Sequence, residues 1–155
     1  MTCCGPCSRP RLLGVYLLSG KKLLSCLKKR DLLNSAKADS SELREYGESY
    51  LLEGRLSDAI DFFEEAQHIE GLTQLKHRCV AEADYFLFLR LAKILGESPS
   101  NQEWIQLGDN ALASNKLFFA RSAYLEADYH EEVARVEKLL QLQTQEKTSD
   151  KAMLH

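Results

Sequence analysis

LREYGESY (Leu43–Tyr50) followed by AIDFFEEA (Ala59–Ala66), and WIQLGDNA (Trp104–Ala111) followed by ARSAYLEA (Ala120–Ala127), carry one pattern twice, at a constant offset along the chain. The first unit reads Leu43-x2-Tyr46-Gly47-x2-Tyr50, then Ala59-x3-Phe63-x2-Ala66. The second reads Trp104-x2-Leu107-Gly108-x2-Ala111, then Ala120-x3-Tyr124-x2-Ala127. The spacing from glycine to the first alanine of the second half is the same in both, Gly47 to Ala59 and Gly108 to Ala120. Gly47 and Gly108 fall in mid-helix, where each costs on the order of 1 kcal/mol relative to Ala. That cost is expected where a neighbouring helix presses on the bare backbone. The paired alanines keep the facing helix small, Phe63 and Tyr124 fill the turn between them, and Leu43 and Trp104 plug into the adjoining unit. A repeated helix-turn-helix unit cannot bury its apolar face alone and must stack on neighbours.

The rest of the 155-residue chain fits one helical domain, with 45% hydrophobic and 28% charged residues and 3 prolines. Its net charge of −3 hides an asymmetry. Residues 1–37 hold eight Lys/Arg (Arg9, Arg11, Lys21, Lys22, Lys28, Lys29, Arg30, Lys37) against Asp31 alone, a balance of +7 that leaves −10 for the remainder. Five cysteines, with Cys3, Cys4 and Cys7 crowded together and Cys26 and Cys79 alone, do not make a disulfide framework, so a reducing, cytoplasmic setting is expected. Leu12–Leu18 (LLGVYLL) and Leu23–Cys26 (LLSC) imitate a signal core and a lipobox, but Lys21 and Lys22 stand between them and no small-x-small cleavage site follows.

Residues 1–10 read as a flexible start, and Gly20 as a break between two short helices in a leucine-rich basic arm ending near Lys37. A helix is expected from Ser40 to Glu53, with Asp39 and Glu42 as its capping box and Gly54 closing it. Another runs from Ser57, as its cap, to His68, and Gly71 interrupts the chain. Residues 72–83 and 84–95 form a further pair, with YFLFLRLAKIL (Tyr85–Leu95) apolar nearly all round and so expected at the centre. Ser100 and Glu103 form a second capping box for a helix from Gln102 to Ala113 that turns at Asn115. Leu117–Ala127 is its partner, Glu131–Leu142 a last amphipathic helix, and residues 143–155 a polar, frayed tail.

At the quoted positions the two units resemble tetratricopeptide repeats, whose 34-residue unit carries W-x2-L-G-x2-Y, A-x3-F and P. The second unit matches at Trp104, Leu107, Gly108, Ala120 and Tyr124, the first at Gly47, Tyr50, Ala59, Phe63 and Ala66. The match covers somewhat over a third of the chain strictly and about two thirds loosely. Neither unit ends in Pro, and the interval from Gly47 to Gly108 falls short of two full periods, which predicts a short, irregular middle hairpin. The looser helical-hairpin arrays of coat and scaffold proteins are also similar. The expected fold is all-α: about three stacked antiparallel hairpins in a tetratricopeptide-like α-solenoid (residues 38–142), with an N-terminal basic helix (1–37), a C-terminal capping helix and a tail (143–155).

In such arrays the first helix of each hairpin lines a concave groove. The resemblance therefore implies a partner-binding groove of Arg44, Glu48, Leu51, Leu52, Gln102, Ile105, Asp109 and Leu112. This mixture of apolar and acidic groups suits an amphipathic helix or extended peptide. It does not suit capture of a peptide carboxylate, because Glu48 follows Arg44 by one turn and Ile105 and Asp109 replace basic groups.

The basic arm has three readings: contact with an anionic membrane, contact with nucleic acid, or docking on the acidic body or a partner subunit. Nucleic acid is disfavoured, since Tyr16 is the arm's only aromatic and the body repels phosphate. Cys3-Cys4-x2-Cys7 lacks a second ligand pair, His77 and Cys79 are isolated in a helix, and His68, His130 and His155 read as surface residues, so no metal is expected. Glu64-Glu65 and Glu131-Glu132 sit on amphipathic helices as solvated faces, and no HExxH, phosphate loop or GxSxG elbow occurs. The sequence thus points to a non-catalytic adaptor or scaffold without a cofactor, with a peripheral membrane-associated assembly factor as the alternative. Self-association through an uncapped end is also expected of so short an array.

Overall fold

The structure, a computed structural model, describes residues 21–35 and 38–152, with side chains through residue 145. Among these residues the chain forms eight helices and no strand: α1 (Cys26–Leu33), α2 (Ser40–Leu52), α3 (Leu56–Glu65), α4 (Ile69–Glu82), α5 (Tyr85–Leu95), α6 (Asn101–Ala113), α7 (Leu117–Glu126) and α8 (His130–Ala152). Cys3, Cys4, Cys7, Arg9, Arg11, Leu12–Leu18, Gly20, Lys37 and His155 lie outside the described residues.

From α2 to α7, each helix is closed by a residue with left-handed backbone: Gly54, Gln67, Ala83, Gly96, Asn115 and Asp128. The following amide then donates to the carbonyl five positions back at 2.8–3.0 Å, from Arg55 to Tyr50, His68 to Phe63, Asp84 to Cys79, Glu97 to Ala92, Lys116 to Ala111 and Tyr129 to Tyr124. This is the Schellman arrangement, which satisfies carbonyls that the helix leaves unpaired. After five of these residues the next helix begins two positions on; after Gly96 the Ser98-Pro99-Ser100 loop intervenes.

The turns keep a register. Those inside the pairs α2–α3, α4–α5 and α6–α7 fall at Gly54, Ala83 and Asn115, and those after the pairs fall at Gln67, Gly96 and Asp128. The second series follows the first at a constant distance, so both series take the same two steps, a shorter one and then a longer one. The interval from Gly47 to Gly108 therefore spans two unequal steps, the shorter one leading into the middle pair. In this register Leu72, Leu75 and Cys79 stand where Leu43, Tyr46 and Tyr50 stand in the first pair. Across the pair the order of large and small inverts: Phe88 and Ala92 replace Ala59 and Phe63, and Lys76 replaces Gly47.

Packing explains the inversion. A Cβ on Gly47 would lie 2.5 Å from Phe63 Cε1, and one on Gly108 would lie 2.6 Å from Tyr124 Cε1. In each outer pair an aromatic ring of the second helix thus covers the glycine of the first; the matching position in the middle pair is Ala92, and the first helix carries a lysine instead. Lys76 is only 7% exposed, and its ammonium bonds Glu97 at 2.7 Å and Glu103 at 2.8 Å while lying 5.7 Å from the Phe88 ring centroid. It ties α4 to the loop before α6 and to the first turn of α6. The expected Ser100–Glu103 capping box is present there.

Two apolar clusters form the core. The larger joins α2 to α5 with Trp104, Leu107, Ala123 and Ala127; the smaller gathers Ala83, Ala111, Leu117, Ala120, Tyr124, Val133 and Val136 beneath α8. Helices α2 and α3, α4 and α5, and α6 and α7 pack as neighbours, with further packing of α3 on α4, α4 on α6 and α7 on α8.

Several local expectations are corrected. Asp39 makes no side-chain cap; Glu42 faces Lys21 at 3.8 Å, and Ser40 Oγ donates to the Ala66 carbonyl. Helix α3 starts at Leu56, so Ser57 is not its cap. Gly71 does not interrupt the chain: it lies in the first turn of α4, where a Cβ would meet His68 Cδ2 at 2.6 Å, and Gln67 takes the turn. The Tyr85–Leu95 helix is not central, since only Phe88, Leu91 and Ala92 are buried along it. The last helix does not end near Leu142 but continues to Ala152.

Candidate partner-binding surfaces

The eight groove residues read from the sequence differ in exposure and in partners. On α2, Arg44 pairs with Glu48 at 3.1 Å, Leu51 packs on the larger cluster, and Leu52 is exposed. On α6, Gln102 is exposed, Ile105 packs on the larger cluster and Leu112 on the smaller. Asp109 accepts a 2.7 Å hydrogen bond from the Tyr124 hydroxyl, which burial and this bond push above the usual tyrosine range. Leu51, Ile105 and Leu112 are thus partly buried at the edge of the core, and Asp109 holds the ring that covers Gly108. The repeat-packing residues lie inward: Leu43, Gly47, Tyr50, Ala59, Phe63, Ala66, Trp104, Leu107, Gly108, Ala111, Ala120, Tyr124 and Ala127 are buried and Tyr46 partly so.

An aromatic surface lies elsewhere, on α5 and α7. Buried Trp104 meets Phe88 edge-on at 4.9 Å and Tyr85 at 5.8 Å. Tyr85 stacks on Phe119 at 6.2 Å, and Phe86 meets Phe119 edge-on at 5.5 Å. The chain of rings therefore runs from the core to the surface. Phe86 is 67% exposed and Phe118 73%, with Leu89 and Leu125 also exposed on the same two helices. Burial, followed by the nearby Glu126 carboxylate, raises the Tyr85 hydroxyl above its ordinary pKa. Sequence reading misses this surface. Its signal is the all-round apolarity of Tyr85–Leu95 together with the Phe118-Phe119 doublet, which suggests burial where Phe86 and Leu89 in fact face solvent.

A second surface lies where the basic arm meets the body. Lys21 bonds Glu45 at 2.8 Å, and its backbone amide donates to Ser49 Oγ at 3.1 Å. Lys29 bonds Asp58 and Asp61, the latter at 2.6 Å, with its ammonium 5.9 Å from the Tyr50 ring centroid and 5.8 Å from that of Phe62. Arg55 reaches Asp58 at 2.6 Å, and Arg90 reaches Asp61 at 2.7 Å and Glu64 at 3.1 Å. Burial works against charge at Asp61, yet the bonds from Lys29 and Arg90 outweigh it and hold its carboxyl below the usual value. The described part of the arm thus docks on the acidic body, one of its three readings. Lys22, Lys28 and Arg30 stay exposed. Beside the arm opens a cleft of about 550 Å³ lined by Leu24, Lys29 and Leu33 on one side and Tyr50, Asp58, Asp61 and Glu64 on the other.

Among the described residues no group of three or more His, Cys, Asp or Glu is placed to hold a metal, and no helix is long and apolar enough to cross a membrane. Cys79 is buried, and desolvation pushes its thiol up to about 12. No protein-family model, characterised protein or solved structure matches the chain.

Proposed function

We propose that the protein is a non-catalytic interaction module, an adaptor or scaffold whose helix pairs stack as tetratricopeptide-like hairpins and hold a helix or extended segment of another protein. The observation that carries this is exposed Phe86, at the end of an aromatic chain that leads out from Trp104 through Tyr85 and Phe119, with exposed Phe118 next to Phe119 in the sequence. Exposed rings backed by a packed core are the usual anchors of protein interfaces, being large and low in side-chain entropy. This favours the α5–α7 surface over the α2 and α6 residues as the primary seat, with Arg44, Leu52 and Gln102 as secondary contacts.

The test is capture on immobilised full-length chain, with bound proteins quantified by mass spectrometry. Wild type, Phe86→Ser/Phe118→Ser and Arg44→Ala/Gln102→Ala are compared. A protein lost at least tenfold on the first variant and retained on the second supports the reading. Identical capture by all three defeats it. The peripheral-membrane alternative draws on the exposed Leu27 beside Lys28. Flotation of full-length chain with anionic vesicles tests it, and flotation unchanged by Lys22→Glu/Lys28→Glu removes it.

A further inference from the structure

No residue of α1 is buried. Leu23, Leu24, Leu32 and Leu33 only lean on the core, and Leu27 points to water. The arm's charged anchor is Lys29, placed between two carboxylates one turn apart on α3 and over two aromatic faces. Lys21 on Glu45 and Ser49, and the Leu24 carbonyl, which accepts from the Tyr50 hydroxyl, tie down the segment before the helix. That arrangement is a complete recognition site for an ammonium group: two charged acceptors and two ring quadrupoles of the right sign. It is also held in shape independently of Lys29, since Arg55 fixes Asp58 and Arg90 bridges Asp61 and Glu64. The arm does not fill its seat, because the cleft of about 550 Å³ remains open between α1 and the Tyr50, Asp58 and Glu64 side.

We infer that this face of α3 is a docking site for a lysine-bearing, leucine-rich helix of a partner protein, and that α1 occupies it in cis until such a helix displaces it. The chemistry of the occupant follows from the one already seated: a cation for Asp58 and Asp61, and aliphatic side chains flanking it for the shelf where Leu24 and Leu33 rest. An incoming helix with bulkier apolar groups gains the cleft that α1 leaves empty. Exchange is favoured by how little α1 buries, and the preformed carboxylate pair spares the newcomer the cost of ordering its site. This site is separate from the α5–α7 aromatic surface, so either proposal stands or falls without the other.

The probe is a fluorescein-labelled peptide with the sequence of residues 21–35, carrying Cys26→Ser to prevent disulfide exchange. Its binding to full-length chain is read by anisotropy. Lys29→Ala in the chain removes the cis cation and is expected to tighten peptide binding at least tenfold over wild type. Adding Asp58→Asn/Asp61→Asn to that variant is expected to reverse the gain. A peptide that itself carries Lys29→Ala is expected to bind neither chain, a contrast that survives if the carboxylate variant fails to fold. Equal binding to wild type and Lys29→Ala, or binding indifferent to the peptide's own lysine, overturns the proposal and leaves α1 as a fixed cap.

Discussion

Phe63 lies so close against Gly47 that a methyl group there would sit 2.5 Å from its ring, while Gly54, in the turn between the two, has nothing within 4 Å of a would-be Cβ. The two glycines are required for opposite reasons. At Gly47 the backbone is ordinary helix and space is missing; at Gly54 space is free and φ is +74°. Gly47→Ala and Gly108→Ala are each expected to lower stability by about 1–3 kcal/mol, overpacking outweighing the roughly 1 kcal/mol that helix propensity returns. Urea denaturation measures this, and stabilisation by either substitution counts against the packing account.

At the left-handed turns the sign reverses. Gln67 is exposed with φ 52°. Gln67→Gly is expected to stabilise by about 0.5–1 kcal/mol, because a side chain strains this backbone region and glycine does not. Gly54→Ala should destabilise by about 1 kcal/mol for the same reason. Paired thermal melts check both, with movements in opposite directions as the expected result.

Acid should weaken the fold through named carboxylates. Burial opposes ionisation of Glu103, but bonds from Lys76 and Ser100 prevail, and its pKa falls below its ordinary 4.5; Asp61 likewise falls below its ordinary 3.8. Groups with depressed folded pKa values contribute stability that is present above the unfolded value and lost as pH drops through the folded one. Stability is therefore expected to fall as pH decreases from about 4.5. Lys76 and Lys29 are raised above 10.5, so their contributions persist up to that pH and fade beyond it. Urea midpoints across the acid range for wild type and Glu103→Gln give the measurement, with a shallower acid slope expected for the variant.

Two phenylalanines two positions apart on α5 should behave as opposites. Phe88→Ala is expected to cost about 3–5 kcal/mol, as for other buried large-to-small changes. Phe86→Ser, at an exposed site, should shift stability by less than about 0.5 kcal/mol. Equal costs in denaturation would mean that Phe86 is covered in solution.

Helix content was legible because the periodicity around Leu43–Tyr50 and Trp104–Ala111 has one reading, and Gly54 and Asn115 marked two of the turns by residue type. The turns at Ala83 and Asp128 were located by the helix limits on either side, but nothing in those residue types, or in Gln67, signals a left-handed backbone, which the Schellman bonds and surrounding packing impose. The correspondence of the middle pair to its neighbours is hidden in the sequence because Lys76 and Ala92 stand where the outer pairs carry a glycine and an aromatic ring. The polarity of the basic arm was readable but not its target, since Lys29 pairs with Asp58 and Asp61 across a wide separation in the chain. The α2 and α6 residues follow from helix position alone, which does not reveal that Ile105 and Leu112 lean on the two apolar clusters.

The steps from Gly54 to Gln67, from Ala83 to Gly96 and from Asn115 to Asp128 are identical in length, whereas the step from Gln67 to Ala83 is shorter than that from Gly96 to Asn115. The second helix of every pair therefore works as a fixed ruler, and length variation is confined to the stretch that holds the first. Inserting one residue into α3 upstream of Phe63 would swing that ring by about 100° around the helix axis and uncover Gly47. An insertion of three or four in α4 or α6 would return later side chains close to their original facing. The longer of the two stretches owes its length to the Ser98-Pro99-Ser100 loop and not to α6, so changes in chain length are taken up between pairs while the second helix of each pair keeps its span.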